Sequence, residues 1–303
     1  MTARLLDGRA VASRLWRELG DRVATLTLAT GTPPRLAILR FAGEGPAAVY
    51  ADSLARAARG LGIEPVIVTP PEGVTLGDLA ARIGALNRDA SVAGIVVAQP
   101  LPAQLPIHDV AALIDPAKDV DGASPENAGR VARGDTSAFV PATAAAVLAL
   151  LRAYEVPIAG RRAVVIGRSA VVGRPVASLL TAADATVVVC HRGTRNLARE
   201  TRRADILVAA AGVPGLVRSE MVNRSATIVD CGINVTPQGI VGDVDFEAVR
   251  PVVRAITPVP GGVGPVTTMT LLEATIRSAE RMVPPDRGEL DRFTIPERSL
   301  SER

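Results

Sequence analysis

Arg162-Ala163-Val164-Val165-Ile166-Gly167-Arg168-Ser169-Ala170-Val171-Val172-Gly173-Arg174-Pro175 is the stretch on which the fold turns. A short, wholly apolar run closed by glycine reads as a strand buried on both faces, and the glycine-bounded turn after it opens a helix over Val172 to Ala183. A strand feeding a helix through such a turn aims backbone amides and the positive end of the helix dipole at one point, where a pyrophosphate can sit. The spacing is not the usual G-x-G-x-x-G. Glycines that only permit a tight turn would look the same, so this stretch alone leaves both readings open.

Working outward, the residues ATVVVC, DILVAAA and ATIVDCG (185–190, 205–211 and 226–232) read as further strands, with a helix over Asn196 to Arg203. Toward the N-terminus, RLAILRF, EPVIV and AGIVVA (35–41, 64–68 and 93–98) alternate with helices over Pro46 to Leu61 and Leu76 to Leu86. Strands alternating with helices imply parallel β-α units. The fold class is therefore α/β in two domains, an N-terminal α/β domain and a Rossmann-like dinucleotide-binding domain with a cleft between them. The Gly-, Asp- and Pro-rich segment from Lys118 reads as loop up to a helix starting near Thr143. The last helical pattern covers Met269 to Met282. These give a first domain of residues 1–140 plus 269–285, a second of 141–268, and a frayed polar tail over 286–303.

Composition narrows the partners. At 303 residues with 48% hydrophobic and 21% charged side chains, the chain can bury two modest cores. The net charge of +3 comes from arginines scattered among acids, and aromatics make up 2%, so neither a basic stripe nor a stacking platform for nucleic acid is present. Cys190 and Cys231 lie in apolar strand-like runs and read as small buried thiols, which suits a reducing cytoplasm, and no metal site is expected. The N-terminus lacks an uninterrupted apolar stretch, and no run is long enough to span a bilayer.

The strand after the glycine turn ends in Cys190-His191-Arg192. An enzyme that binds NAD commonly places Asp or Glu there to accept from the ribose hydroxyls. With no acid present, Arg168, Arg192 and His191 offer donors suited to a 2′-phosphate, which favours NADP over NAD. Arginines on a surface loop that serve only solubility would give the same sequence.

At this point the chain resembles the methylenetetrahydrofolate dehydrogenase/cyclohydrolase family along nearly its whole length, the tail excepted. The matching stretches are Leu6-Asp7-Gly8, Lys118-Asp119-Val120-Asp121-Gly122, Asn127-Ala128-Gly129-Arg130, Val165-Ile166-Gly167-Arg168-Ser169, Asp230-Cys231-Gly232-Ile233-Asn234, Val241-Gly242-Asp243-Val244 and the run from Pro258 to Pro265. What the resemblance implies is a folate and a nicotinamide meeting in the interdomain cleft, in a homodimer joined through the dinucleotide-binding domains. It also implies that Tyr50 stacks on the folate, that Asp121 hydrogen-bonds the pterin, and that Pro260, Gly261 and Gly262 border the site. By the same resemblance Gly167, Arg168, Ser169, Gly173, Arg174, His191, Arg192, Gly232 and Ile233 surround the cofactor.

The pattern breaks at one place. The family carries a lysine four residues after its tyrosine, one helical turn along the same face. Here that position is Leu54, and leucine has no proton to give or take. The family's strand end V-Q-L-P-L-P reads Val97-Ala98-Gln99-Pro100-Leu101-Pro102, so the glutamine that contacts the lysine is Ala98 and Gln99 is turned to the other face. The turn Gly43-Glu44-Gly45-Pro46-Ala47-Ala48 is shorter than G-x-x-P-A-S patterns and lacks the serine. Arg56 and Asp52 face away from the position, and Lys118 is the only lysine in the chain. The expectation is an NADP-linked methylenetetrahydrofolate dehydrogenase with weak or absent cyclohydrolase activity. The alternatives are an enzyme turned to another folate-like or one-carbon substrate, and a binding paralogue without turnover.

Overall fold

In the first half of the chain β1 (Arg4–Leu5), α1 (Gly8–Thr30), β2 (Arg35–Leu39), α2 (Pro46–Leu61), β3 (Glu64–Val68), α3 (Leu76–Arg88), β4 (Val92–Val97), α4 (Ile107–Ala111) and α5 (Pro125–Ala132) follow one another. The second half runs through α6 (Ala142–Ala153), β5 (Arg162–Ile166), α7 (Gly173–Ala182), β6 (Thr186–Cys190), α8 (Leu197–Thr201), β7 (Ile206–Ala209) and β8 (Thr227–Asp230). It closes with the hairpin of β9 (Asn234–Thr236) and β10 (Gly239–Val241), then α9 (Phe246–Val249), β11 (Ala255–Ile256) and α10 (Val263–Met282). The computed structural model describes residues 3–41, 45–237 and 239–283, apart from the side chain of Pro46. Gly43 and Glu44 of the shortened turn and the tail over 286–303 lie outside the described residues.

The first sheet is parallel in the order β3-β2-β4. Leu36 and Ile38 point to a core built with α1, α2 and α10, while Ala37 and Leu39 point to a second core with α3 and α4. Both faces are covered, which is why these strands read as unbroken apolar runs. The second sheet is parallel in the order β1-β11-β8-β7-β5-β6. From β5 the chain goes to β6 on one side and then crosses to β7 on the other. That reversal opens a crevice at the carboxyl ends of β5 and β7.

Two elements tie the halves together. The chain's first strand, β1, joins the second sheet through β11, and α10 returns to pack on α1, α6 and β4.

The structure corrects the sequence reading in three places. The segment read as loop from Lys118 to Thr143 contains α5, because Ser124 accepts from the Asn127 amide (3.2 Å) and Pro125 occupies the first helical position, where no amide is needed. The final helix begins at Val263 rather than Met269, since Pro265 falls in the first turn, where a missing N–H costs nothing. Cys231 is half-buried rather than buried; both thiols are free, at the carboxyl ends of β8 and β6 with β7 and β5 between them. Among the described residues, no helix is long and apolar enough to cross a membrane.

Candidate active site

Tyr50 and Leu54 sit one turn apart on α2, with opposite surroundings. The tyrosine keeps 38% of its surface exposed, whereas Leu54 is 2% exposed. Leu54 belongs to one apolar cluster with Ala51, Ala55, Val96, Ala98, Val120 and Met269, so the two positions that depart from the family pattern, Leu54 and Ala98, face the same core. Among the described residues, the charged side chains nearest in sequence do not replace the missing amine. Arg56 is exposed, and Asp52 is ion-paired with Arg40 at 3.0 Å on the outer face of the helix. The ammonium of Lys118 donates to the carbonyls of Leu86 (3.1 Å) and Asp89 (2.6 Å), closing the C-terminal end of α3. That burial lowers its pKa, with Asp89 and Asp115 opposing the shift.

The loop Lys118 to Gly122 is built around Asp119, which is fully buried. Its carboxylate accepts from the amides of Ala123 (3.0 Å) and Ser124 (2.8 Å) and from Asn127 Nδ2 (2.9 Å). Asn127 also donates to Pro116 O (3.0 Å) and accepts from the Phe139 amide (3.3 Å), so the loop, α5 and the entry to α6 form one hydrogen-bonded body. That body presents Asp121 toward Tyr50. Burial first, and then the charge of Asp119, push the Asp121 carboxyl up to about 7, against a backbone hydrogen bond from Ala142. The Tyr50 hydroxyl is pushed up from its ordinary value by desolvation and then by the charge of Asp121. The pair are within electrostatic reach of each other.

The run from Pro258 to Pro265 is held by the start of α1. Gly8 N donates to Gly261 O at 2.9 Å, and a Cβ on Gly8 would collide with the carbonyl oxygen of Gly262. Only glycine allows this approach of backbone to backbone. Asp7 caps α1 by accepting from Arg9 N (2.8 Å). Tyr154 clasps the same residue, its hydroxyl accepting from Asp7 N (2.8 Å) and donating to Asp7 O (3.1 Å). The stretch Leu6-Asp7-Gly8 is thus the seat of the loop formed by Pro260, Gly261 and Gly262.

At the other side of the cleft, Gly167 ends β5 with φ 126°, and a Cβ on Gly173 would strike the Gly167 carbonyl. Between them Ser169 Oγ accepts from the amides of Val172 (3.2 Å) and Gly173 (3.3 Å). This folding back leaves Arg168, Ser169 and Arg174 exposed at the crevice mouth. After β6, His191 is half-buried and its Nδ1 accepts from Gly193 N (3.1 Å), while Arg192 is exposed. Neither Arg168 nor Arg192 pairs with a carboxylate among the described residues.

Two buried aspartates fix the remaining wall. Asp230 accepts from the amides of Gly232 (2.8 Å), Asp243 (3.0 Å) and Val244 (2.9 Å). Its pKa rises to about 6 through burial, which those amides oppose. Asp243 accepts from the amides of Ala211 (2.6 Å), Gly212 (2.9 Å) and Val213 (2.9 Å) and from Asn234 Nδ2 (2.9 Å). The loops after β7 and β8 are laced together in this way, with Gly232 buried and Ile233 68% exposed.

Comparison with known proteins bears on both halves. The catalytic-domain model of tetrahydrofolate dehydrogenase/cyclohydrolase matches residues 6–121, and the NAD(P)-binding-domain model of the same family matches residues 141–283. The chain is 48% identical over 280 residues to a bifunctional protein FolD 1 of Saccharopolyspora erythraea, covering 92% of this chain and 95% of that one. The chain belongs to the tetrahydrofolate dehydrogenase/cyclohydrolase family. Its fold matches the crystal structure of the Campylobacter jejuni bifunctional enzyme with a TM-score of 0.91 at 42% identity, covering 93% of this chain and all of that one. A Trypanosoma brucei member solved with NADP cofactor and inhibitor matches with a TM-score of 0.87 at 38% identity, covering 93% and 98% of the two chains.

Within this family frame the structure brings Tyr50 and Asp121 together and carries Leu54 and Ala98 into the core behind them. The sequence reading did not foresee two contributions: the clasp by Tyr154 and the Asp230 and Asp243 lacing. Each depends on contacts between segments far apart in the chain. A faint signal existed for the aspartates alone, since each stands within two residues of a glycine at the end of an apolar run, where an acid must find backbone donors.

Proposed function

We propose that the chain oxidises methylenetetrahydrofolate to methenyltetrahydrofolate with reduction of NADP⁺, and that it hydrolyses the methenyl product weakly or not at all. The observation that carries the second part is Leu54, sealed with Ala98 in an apolar cluster while the chain's one lysine is occupied at the end of α3.

The residues present fit a dinucleotide. Gly173 lies so close to the Gly167 carbonyl that a Cβ there would collide with it, and the tight turn this allows sets the helix N-terminus of α7, which suits a pyrophosphate. In this reading Gly167, Ser169, Gly173 and Arg174 hold the pyrophosphate side, Arg168, His191 and Arg192 receive the 2′-phosphate, and Gly232 and Ile233 border the nicotinamide. The nicotinamide, when bound, accepts a hydride. Tyr50 stacks on the folate, Asp121 takes hydrogen bonds from the pterin, and Pro260 to Gly262 close the site. No side chain has to move a proton, because the folate nitrogens stabilise the cation that forms. The protein's work is to align two carbons and exclude water, and such positioning supplies about 7–11 kcal/mol of a barrier. Hydrolysis makes a different demand, since a positioned acid or base is worth about 10²–10⁴-fold, and position 54 provides none.

The same reading places the protein in the cytoplasm as a homodimer joined through residues 141–268, with 1–140 plus 269–285 forming the folate-binding unit. The test follows absorbance after mixing the purified chain with methylenetetrahydrofolate and NADP⁺, then NAD⁺, alongside a separate assay of methenyl hydrolysis against buffer. NADPH formation with hydrolysis at the buffer rate is the expected result. An absence of both NADPH and NADH overturns the assignment.

A further inference from the structure

Ala211, Gly212 and Val213, which follow β7 at the mouth of the crevice, are all exposed. Their three consecutive amides nevertheless turn inward onto one carboxyl, that of Asp243, which is fully buried. Ala211 N (2.6 Å) and Gly212 N (2.9 Å) reach Oδ2, and Val213 N (2.9 Å) reaches Oδ1. The fourth donor, Asn234 Nδ2 at 2.9 Å, shares Oδ1 with Val213 N. The acceptor capacity of the two oxygens is then filled.

Asp243 is itself fixed through its backbone, its amide donating to Asp230 Oδ1 (3.0 Å) and its carbonyl accepting from Val217 N (3.0 Å). Gly232 lets it come close, since a Cβ there would strike Asp243 Oδ1. Two surface segments therefore hang on one fixed carboxyl. The first is the loop after β7, where the Ala210 carbonyl lies so near Gly167 that a Cβ on that glycine would collide with it. The second is the hairpin of β9 and β10, entered through Ile233 and held by Asn234, which pairs with Val241 across the hairpin. Each segment carries an apolar side chain left in solvent, Val213 at 46% and Ile233 at 68% exposure.

We propose that Asp243 is a positioning residue for the dinucleotide: its one carboxyl sets Val213 and Ile233 as the two apolar edges that receive the nicotinamide end. The proposal rests on the dehydrogenase reading above. The two arms act differently. The loop after β7 abuts the glycine turn and so governs binding, whereas Asn234 sets where Ile233 meets the nicotinamide and so governs alignment for hydride transfer. Only an acid serves at position 243, because an amide has one acceptor oxygen and turns its NH₂ against a donor.

The test uses the full chain with Asp243→Asn and Asn234→Ala. NADPH and NADH affinities are read from the fluorescence of the bound nucleotide, kcat and the KM for methylenetetrahydrofolate from steady-state assays, and exchange of the 211–213 amides from the free protein. In Asp243→Asn these amides should exchange about 10-fold faster, the size of one lost hydrogen bond, while those of β2 keep the parent's rate. NADPH and NADH should both bind about 10-fold more weakly, with the folate KM unchanged. Asn234→Ala should bind NADPH as the parent does, yet lose about 10-fold in kcat through misalignment. A general loss of stability would not separate affinity from turnover in this way. Affinities and kcat equal to the parent's in both variants overturn the proposal, as does a loss in Asp243→Asn that falls alike on nucleotide and folate. If Asp243→Asn does not melt cooperatively, Asn234→Ala decides, and a kcat equal to the parent's overturns the proposal. A parent that binds NADPH without turnover removes the reaction assignment alone, and affinity with amide exchange still decides the role of Asp243. A parent that binds neither nucleotide overturns the dehydrogenase reading and the proposal with it.

Discussion

Restoring lysine at position 54 and glutamine at 98 should bring hydrolysis back. Leu54 is 2% exposed, so the change forfeits about 2–3 kcal/mol of apolar burial and sets an amine where water barely reaches. Desolvation favours the neutral amine and draws its pKa down toward neutrality, where a base can work. Ala98→Gln places an amide in the same cluster, so the amine gains a partner. A positioned acid or base at this point is expected to raise methenyl hydrolysis by about 10²-fold or more, equivalent to about 3 kcal/mol of barrier. Leu54→Lys alone should give less, because its amine is left unpaired. The assay is decay of the methenyl absorbance against buffer, with NADP binding and thermal melting as checks of folding. A loss of each kcal/mol lowers the midpoint by about 2–4 °C in domains of this size. A parent chain that hydrolyses the methenyl compound well above buffer refutes the reasoning directly, as does a folded double variant that stays at the parent's rate.

Gly8→Ala drives a methyl into the Gly262 carbonyl; kcat/KM for the folate should drop about 10²-fold, as expected for a misplacement near 1 Å, with NADP affinity measured by fluorescence unchanged. Arg168→Ala and Arg192→Ala should each raise the KM for NADP by about 10-fold or more, the size of a charge-assisted hydrogen bond, and leave the KM for NAD alone; equal effects on both cofactors would remove these residues from the 2′-phosphate. The folded pKa of Asp121 is raised to about 7, so between the ordinary carboxyl range and 7 the folded state binds more protons than the unfolded one, and stability contributed by this group falls as pH rises through that window. Asp121→Asn should therefore melt progressively higher than the parent as pH goes from 4 to 7, and a gap that does not vary with pH would contradict the assignment. Lys118→Met leaves the carbonyls of Leu86 and Asp89 without their cation, and chemical denaturation should show a loss of about 1–3 kcal/mol.

What was legible in the sequence followed from burial on both faces. Strands such as β2 and β5 are apolar throughout because helices cover each side, and that pattern needs no knowledge of partners. The helix α2 was legible at both ends, since Pro46 fits its first turn and Gly62 closes it with φ 89°. The helix α5 was hidden because the residues that cap and begin it, Ser124 and Pro125, are also the residues of loops. In the site, the missing lysine could be seen as a letter. The fate of the space could not, because the cluster around Leu54 draws on α2, the end of β4 and α10.

The arrangement explains why one of the family's two reactions can be given up without the other. Hydride transfer depends on where the folate and the nicotinamide lie, and that is fixed by backbone: Gly8 against Gly261 and Gly262 on one side, Gly167 against Gly173 on the other, with Asp230 and Asp243 lacing the wall between. Hydrolysis depends on a titratable side chain at one helical position and on its amide partner at the end of β4. Leu54 and Ala98 remove both and touch none of the backbone contacts. Replacing an unneeded buried amine by leucine also relieves the cost of desolvating a charge. On the proposed reading, in which hydrolysis is not required of this chain, an apolar pair at these two positions is the more stable filling of the core.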